Sequence, residues 1–325
     1  MNIFENKTIL VTGATGLLGS NIVYHVLRAK CSKVFALGRT ENKLKETFGT
    51  IENLSFIAHD VSTQLPENLG QIDYIFHAAS PISGEVIKNA PLDVINSNLS
   101  GTINCLEFLR KQGFGKMIIF SSATVYNAVT ATNNIVSESQ TSYADPIDGP
   151  NAPYSESKRM IEVIANSYHK QHCVDVIIAR FSYLYGYSKN PAKTAFYEFI
   201  FKALAGKNIE LNKSGLPRRD NIYVDDAVEA LMHLCEIGIN GEAYNISSCG
   251  DKGNYAAIDE IAESIARGAN KINDSKIRVI YKTEGGERKE GLRLDNTKLK
   301  ASGFTIKTTL DAGIEQILLK YKEQA

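Results

Sequence analysis

Apolar residues along the chain come in short unbroken runs separated by amphipathic stretches. Residues 7–12 (KTILVT) form a continuous apolar run of the kind shown by a strand buried on both faces. Residues 16–30 switch to a helical period through Leu17, Leu18, Ile22, Val23, Val26 and Leu27. Apolar runs return at 33–37 (KVFAL), 54–58, 74–77, 117–120 and 175–179 (DVIIA). Between them the pattern predicts helices at 41–48, 92–111 and 154–170. Strands alternating with helices in this way predict an α/β fold, a doubly wound parallel sheet covered by helices on both faces.

Beyond about residue 185 the rhythm loosens. Helices are predicted at 194–205, 225–237, 256–268 and 310–322, and strands at 221–224, 243–246 and 277–281. This divides the chain into a sheet domain at 1–185 and a smaller α/β C-terminal lobe, mainly 186–325. The chain returns to the first domain around 214–245. Two polar stretches, 128–153 and 282–291, are candidate active-site loops.

Composition narrows the partners. Lys+Arg and Asp+Glu both number 36, so no global basic field exists to draw in nucleic acid or an anionic membrane. A local basic pocket for a phosphorylated ligand is still allowed. The five cysteines, Cys31, Cys105, Cys173, Cys235 and Cys249, form no C-x-x-C pair. That argues against a disulfide framework or a metal site and fits a cytoplasmic protein. No apolar run approaches the length of a membrane span, and the polar start has no signal-peptide shape.

Gly13-Ala14-Thr15-Gly16-Leu17-Leu18-Gly19 follows the first predicted strand and opens the first helix. In that context Gly13 permits a tight turn and Gly16 lets the backbone approach a pyrophosphate at the helix N-terminus. Gly19 lets helix and strand pack closely. The fold is therefore read as Rossmann-type, with residues 1–185 as its dinucleotide-binding domain. The second strand ends Leu37-Gly38-Arg39-Thr40, with no carboxylate to hold the adenosine 2′-hydroxyl of NAD. Arg39 suits a 2′-phosphate, so of NAD and NADP the second is modestly favoured; stacking of Arg39 on adenine would suit either. Asp60, after the third strand, is placed to accept from the adenine amino group or to cap a turn.

Tyr154 and Lys158 lie four residues apart on a predicted helix and so share a face. An ammonium beside a phenol stabilises the phenolate and is expected to lower the tyrosine pKa. The pair then handles a proton while a nicotinamide moves a hydride at the same carbon. Ser122 and Thr124, just after the fifth strand, supply hydroxyl partners at a carboxyl end of the sheet, where ligands sit in such folds. The Y-x-x-x-K spacing recurs at Tyr185 and Lys189, but there it falls in a glycine-containing loop that fixes no shared face. His77 is placed at a strand end near the cofactor; the other histidines lack metal-ligand spacing.

Together these motifs resemble the extended short-chain dehydrogenase/reductase family, in its nucleotide-sugar epimerase/dehydratase group, along nearly the whole chain. Gly13–Gly19 is similar to the family's G-x-x-G-x-x-G turn. His77-Ala78-Ala79-Ser80 resembles the segment lining the cofactor after strand four, and Asn98-Leu99-Ser100-Gly101-Thr102 the N-x-x-G-T helix motif. Ser121–Tyr126 resembles the serine-strand motif, and Arg219–Asp226 the R-D-x-I-x-V-x-D segment. The resemblance implies cofactor contacts from Thr15, Leu17, Leu18, Asp60, Val61, Ala78, Ala79, Ser80 and Asn98, besides the glycines and the Tyr154/Lys158 pair. It implies substrate contacts from Ser80, Thr124, Ser182, Arg219 and Arg288, the two arginines gripping a diphosphate by bidentate pairing. It also implies a homodimer built on the helices at 92–111 and 154–170.

Within the resembling group, 4,6-dehydratases carry Asp-Glu after the catalytic serine, where this chain has Ala123-Thr124. UDP-glucuronate decarboxylases are similar at Ala78-Ala79-Ser80-Pro81 but carry Glu where Thr124 stands. Ser-Ala-Thr-Val-Tyr resembles 4-epimerases of the UDP-galactose type. The expectation is hydride transfer at sugar C4, by a 4-epimerase or 4-keto reductase, with Ser122, Thr124, Tyr154 and Lys158 as catalytic residues. Ser182, in place of an asparagine, and Tyr187, in place of a proline, depart from the pattern. The alternatives are a decarboxylase or dehydratase, a reductase of small ketones or aldehydes, and a non-catalytic NADP-sensing protein.

Overall fold

The computed structural model describes residues 3–126, 134–140, 144–213, 217–283, 285 and 290–324. In chain order the first elements are β1 (Thr8–Thr12), α1 (Leu17–Arg28), β2 (Lys33–Gly38), α2 (Glu41–Phe48), β3 (Leu54–Ala58), β4 (Tyr74–His77), α3 (Gly84–Asn89), α4 (Pro91–Gln112) and β5 (Lys116–Ser122). Next come β6 (Ile135–Val136), α5 (Ala152–His172), β7 (Asp175–Phe181), β8 (Tyr183–Tyr185), α6 (Ala195–Leu204), β9 (Ile209–Lys213), β10 (Arg219–Tyr223) and α7 (Val224–Ile237). The chain closes with β11 (Ala243–Ile246), β12 (Tyr255–Ala256), α8 (Ile258–Asn273), β13 (Val279–Thr283), β14 (Arg293–Leu294), α9 (Thr297–Ala301) and α10 (Leu310–Lys322).

The main sheet has seven strands in the order β11-β7-β5-β4-β1-β2-β3. Neighbours run parallel, with Thr12 opposite Leu37 on one side of β1 and opposite His77 on the other. The chain winds outward from β1 through β2 to β3, then returns to place β4 on the other side. The order therefore reverses between β1 and β4, and the crevice beyond their carboxyl ends is where such sheets receive ligands. Buried side chains from the strands and from two helices make one layer of core. Leu10, Leu37, Ile75, Met117, Ile119, Val176 and Ile178 meet Cys105, Leu106 and Leu109 of α4 and Ile161 and Ala165 of α5. Each of the Leu, Ile, Val and Met side chains contributes roughly 1.5–3 kcal/mol by leaving water. The α5 positions recur every four residues because one helical stripe faces the sheet.

Two compact units divide the chain: Met1–Val129 with Thr141–Phe181 and Val228–Tyr244, and Thr130–Gln140 with Ser182–Ala227 and Asn245–Ala325. In the second unit, β10 pairs in parallel with β8 and antiparallel with β12. Parallel pairs β9–β13 and β6–β14 accompany it. Asp220 ties these pieces together. Its carboxylate accepts from the Ser247 hydroxyl at 2.6 Å, the Ser248 hydroxyl at 2.8 Å and the Leu294 amide at 3.0 Å.

Most predicted elements lie within two residues of their observed bounds, and three differences have local causes. The helix predicted at 256–268 starts later because Tyr255–Ala256 pairs with β10, and it runs on to Asn273. Gly268, which reads as a stop, sits inside α8, where an added Cβ would approach Leu318 of α10 to 2.9 Å. The strand predicted at 277–281 begins at Val279, since the Ile277 amide is held by the Asn270 side chain at 2.7 Å. Strand β9 (IELNK) has too few apolar positions for its pattern to announce it.

Candidate active site

The glycine turn lies at the reversal point of the sheet. Gly13 has φ +62, a backbone region that L side chains avoid, and a Cβ there would come within 2.7 Å of the Ala78 carbonyl and the Ala79 amide. At Gly19 a Cβ would overlap the Gly13 carbonyl oxygen, so the first turn of α1 presses against the loop that opens it. Gly16 differs. It is exposed, and its added Cβ meets only the Gly13 oxygen, at 3.3 Å. Thr15 precedes it, and Leu17 and Leu18 follow in the first turn of α1, whose amides have no carbonyls upstream in the helix. A bare, positively polarised helix start beside a Cβ-free surface suits a pyrophosphate.

Other expected cofactor residues follow the carboxyl ends of β2, β3 and β4 or lie on α4. The Ala79 amide donates to the Thr12 hydroxyl at 3.2 Å, fixing the segment after β4 against β1. The Ser80 hydroxyl oxygen is buried without a protein partner, as is the Asn98 carbonyl oxygen, whose amide nitrogen donates to Ser157 at 2.7 Å. Buried polar atoms are normally satisfied, so these two fit a polar ligand. Val61 is buried, and its carbonyl accepts from the Asn104 side chain at 2.9 Å. Arg39 is exposed after β2, and its charge acts on Asp60. The Asp60 carboxyl is held below its ordinary range, first by the Ser62 amide and hydroxyl, with Arg39 adding to the effect. Asp60 thus already caps a turn through one oxygen.

Ser122 is the last residue of β5 rather than a loop residue, and Thr124 is exposed on the 3-10 turn Ala123–Tyr126 that follows. The Thr124 amide donates to the Ser122 hydroxyl at 3.2 Å. Ser122 is also hydrogen-bonded to the Tyr154 phenol. Tyr154 stands in the first turn of α5, and Lys158 follows one turn later, with its Nζ 5.7 Å from the phenol ring centroid. Lys158 is buried and donates to the Phe120 carbonyl at 2.7 Å. Structure brings the three expected residues together, but the tyrosine pKa departs from expectation. Burial raises it, and the Ser122 hydrogen bond opposes that rise without offsetting it. Burial also drives the Lys158 ammonium down to about 7, with Glu162 opposing.

His77 is wholly interior. Its Nδ1 lies 2.8 Å from the Thr12 hydroxyl, and burial, helped by the Lys158 charge, pushes its pKa down to about 3. It is a neutral strut between β1 and β4. The Tyr185/Lys189 repeat has no comparable arrangement, since the Tyr185 hydroxyl donates to Asn254 at 2.8 Å inside the second unit.

Sequence reasoning missed a charged group on the same helix. Glu162 receives Arg180 Nε at 3.0 Å and Nη2 at 2.6 Å, and the Ser121 hydroxyl at 2.5 Å. The signal was available, because Glu162 lies four residues beyond Lys158 as Lys158 lies four beyond Tyr154.

In the second unit, Ser182 is buried with its hydroxyl oxygen unpartnered, and its amide donates to Ile246 at 3.2 Å. Arg219 is exposed at the start of β10, with its guanidinium 4.7 Å from the centre of the Tyr183 ring. Arg288 lies outside the described residues, as do 127–133 and 141–143 of the polar stretch at 128–153. Among the described residues no group of His, Cys, Asp and Glu is placed to hold a metal, and no helix is long and apolar enough to cross a membrane.

Residues 9–247 match the model of a family described as NAD dependent epimerase/dehydratase. UDP-glucuronic acid decarboxylase 6 of Arabidopsis thaliana is 28% identical over 315 residues, covering 95% of this chain and 87% of that protein. Among solved structures, dTDP-glucose 4,6-dehydratase from Bacillus anthracis, in complex with NAD, aligns with a TM-score of 0.76 at 25% identity, covering 98% of this chain and 97% of that one. UDP-N-acetylglucosamine 4-epimerase from Methanobrevibacter ruminantium aligns with a TM-score of 0.81 at 23% identity, covering 99% and 100%. The last likeness is one of fold.

Proposed function

The chain belongs to the NAD dependent epimerase/dehydratase family, and from that premise we propose that it moves a hydride at C4 of a nucleotide sugar, as a 4-epimerase or a 4-keto reductase. The observation that carries this reading is the Ser122–Tyr154 hydrogen bond beside Lys158, at the end of a strand whose following turn holds no carboxylate.

NAD or NADP, when bound, supplies the hydride acceptor and donor. The protein's own groups handle the proton. In the oxidative direction the Tyr154 oxygen takes the proton of the sugar 4-hydroxyl as the C4 hydrogen leaves with its electron pair and a carbonyl forms. Ser122 donates to the same oxygen and holds it in place. Lys158, as an ammonium, favours the phenolate. Reduction reverses these transfers, and return of the hydride to the opposite face of C4 inverts that centre. Elimination or decarboxylation needs a further acid or base beside the serine, and Thr124 offers a hydroxyl there instead.

A UDP-glucuronate decarboxylase is the second reading, favoured by relatives that carry that name at 28–29% identity. The two separate on products. Purified protein is supplied with UDP-glucose, UDP-N-acetylglucosamine, UDP-glucuronate and dTDP-glucose, with the cofactor added, and followed by NMR. Inversion at C4, or consumption of a 4-keto sugar with reduced cofactor, is expected. Carbon dioxide from UDP-glucuronate, or water loss from dTDP-glucose, would overturn the reading.

Several finer features belong to the same proposal. Arg39, with no acid at the end of β2, favours NADP over NAD. Arg219, with Arg288, grips the substrate diphosphate, so Arg219→Ala is expected to raise KM more than it lowers kcat. Exposed apolar side chains on α4 and α5, Ile103, Met160 and Val163, suit a homodimer built on those helices. Sugar-nucleotide chemistry and unpaired cysteines suit the cytoplasm.

A further inference from the structure

Three consecutive residues of β5 each hold a different turn of α5. The Ser122 hydroxyl bonds Tyr154, the Phe120 carbonyl accepts from Lys158, and the Ser121 hydroxyl donates to Glu162. Tyr154, Lys158 and Glu162 are spaced by four, so the proton-transfer pair and the carboxylate form one continuous ladder along the helix. Arg180 of β7 grips the last rung through Nε and Nη2 and extends Nη1 to the Tyr126 hydroxyl at 2.8 Å. Both members of the ion pair are mostly shielded, with side chains 14% and 12% exposed.

We propose that Glu162, fixed by Arg180 and Ser121, is a positioning residue for the proton-transfer pair: it keeps Lys158 charged and holds α5 in register on β5. This rests on the reading of Tyr154 and Lys158 as that pair.

The surroundings of Lys158 make the assignment specific. From its own helix it faces the Tyr154 ring and the charge of Glu162. From β5 it meets the neutral Phe120 carbonyl. From β4 it feels His77, which is kept neutral by burial and by Lys158 itself. Glu162 is the negative group that opposes the burial of this ammonium. Arg180 holds that carboxylate with charge-assisted bonds through Nε and Nη2, which keeps it from swinging onto the lysine and displacing it from Phe120.

The test reads Lys158 directly. Protein carrying 13C-labelled lysine is titrated by NMR, and the Lys158 signal is assigned by its loss in Lys158→Met. The double variant E162Q/R180Q removes both charges, so neither partner is left as an unpaired buried ion. Its Lys158 midpoint is expected to fall by at least half a pH unit, and the alkaline limb of kcat/KM is expected to move down with it. An unmoved midpoint overturns the proposal. If the double variant does not fold, Glu162→Asp carries the same test. Withdrawing the carboxylate by one methylene is expected to lower the midpoint by a smaller amount, and an unmoved midpoint again overturns it. Since the titration needs no sugar nucleotide, a shifted midpoint in a protein inactive on every sugar nucleotide would strike the proposed function and leave this inference standing.

Discussion

The Lys158 ammonium donates to the Phe120 backbone carbonyl at 2.7 Å inside the protein, away from bulk water. A buried ammonium held by a neutral dipole is a cost to the fold. It titrates at about 7 here, against about 10.4 in an unfolded chain. Between those values the unfolded chain binds more protons, so the lysine's contribution to stability rises with pH from about 7 to 10.4 and falls away as pH drops toward 7. Lys158→Met is therefore expected to stabilise the ligand-free protein at pH 7 by about 1–3 kcal/mol, even after losing one hydrogen bond, and to abolish turnover. Melting temperatures at pH 7 and pH 10 check this, since the gain should shrink at the higher pH. A variant that melts lower at both values contradicts it.

The glycine turn separates strain from ligand contact. Gly13→Ala meets both an unfavourable φ and the Ala78–Ala79 backbone, and is expected to destabilise the fold by roughly 2–4 kcal/mol. Gly16→Ala meets only one oxygen at 3.3 Å. It should melt within a few degrees of the parent while binding dinucleotide at least tenfold more weakly. Melting curves with a cofactor titration decide it, and equal stability losses at both positions would argue against a cradle at Gly16.

The sheet was legible because its strands are nearly all apolar and its helices strictly periodic: α2, β3, β4, β11 and α10 fall at their expected bounds. The smaller strands were not. β6, β12 and β14 are two-residue pairings that exist only because distant segments meet, and a local pattern holds no trace of that. Within the candidate site, the closeness of Tyr154, Lys158 and Ser122 was readable from spacing and from the element each sits on. Protonation was harder. The ammonium of Lys158 was expected to lower the Tyr154 pKa, whereas burial raises it. Burial is a tertiary property, and sequence spacing carries only the neighbour.

The proposed preference for NADP rests on Arg39. A guanidinium on a 2′-phosphate is worth about 1.5–3 kcal/mol, a factor of roughly 10–100 in affinity. Arg39→Ala is accordingly expected to weaken NADPH binding by that factor and to leave NADH within about twofold. Fluorescence titration of the two cofactors measures both. Equal losses for the two would mean that Arg39 stacks on the adenine and reads no phosphate.

Tyr154 and Ser122 share one hydrogen bond but should not share one phenotype. Tyr154→Phe keeps the ring beside Lys158 and removes the group proposed to accept and return the proton, so kcat is expected to fall by about 10²–10⁴. Cofactor affinity should stay within a few-fold, because the proposed contacts of Lys158 and the glycine turn are untouched. Ser122→Ala removes the donor proposed to steady the sugar oxygen and leaves the phenol in place, so a smaller loss in kcat is expected. That variant also frees the Tyr154 phenol of the bond that lowers its pKa. Its acid limb in the oxidative direction should then move to higher pH, because deprotonation of Tyr154 is required there. Pre-steady-state reduction of the cofactor across pH 6–10 resolves the two. A Ser122→Ala profile that keeps the parent's acid limb would show that Ser122 does not act on the Tyr154 proton.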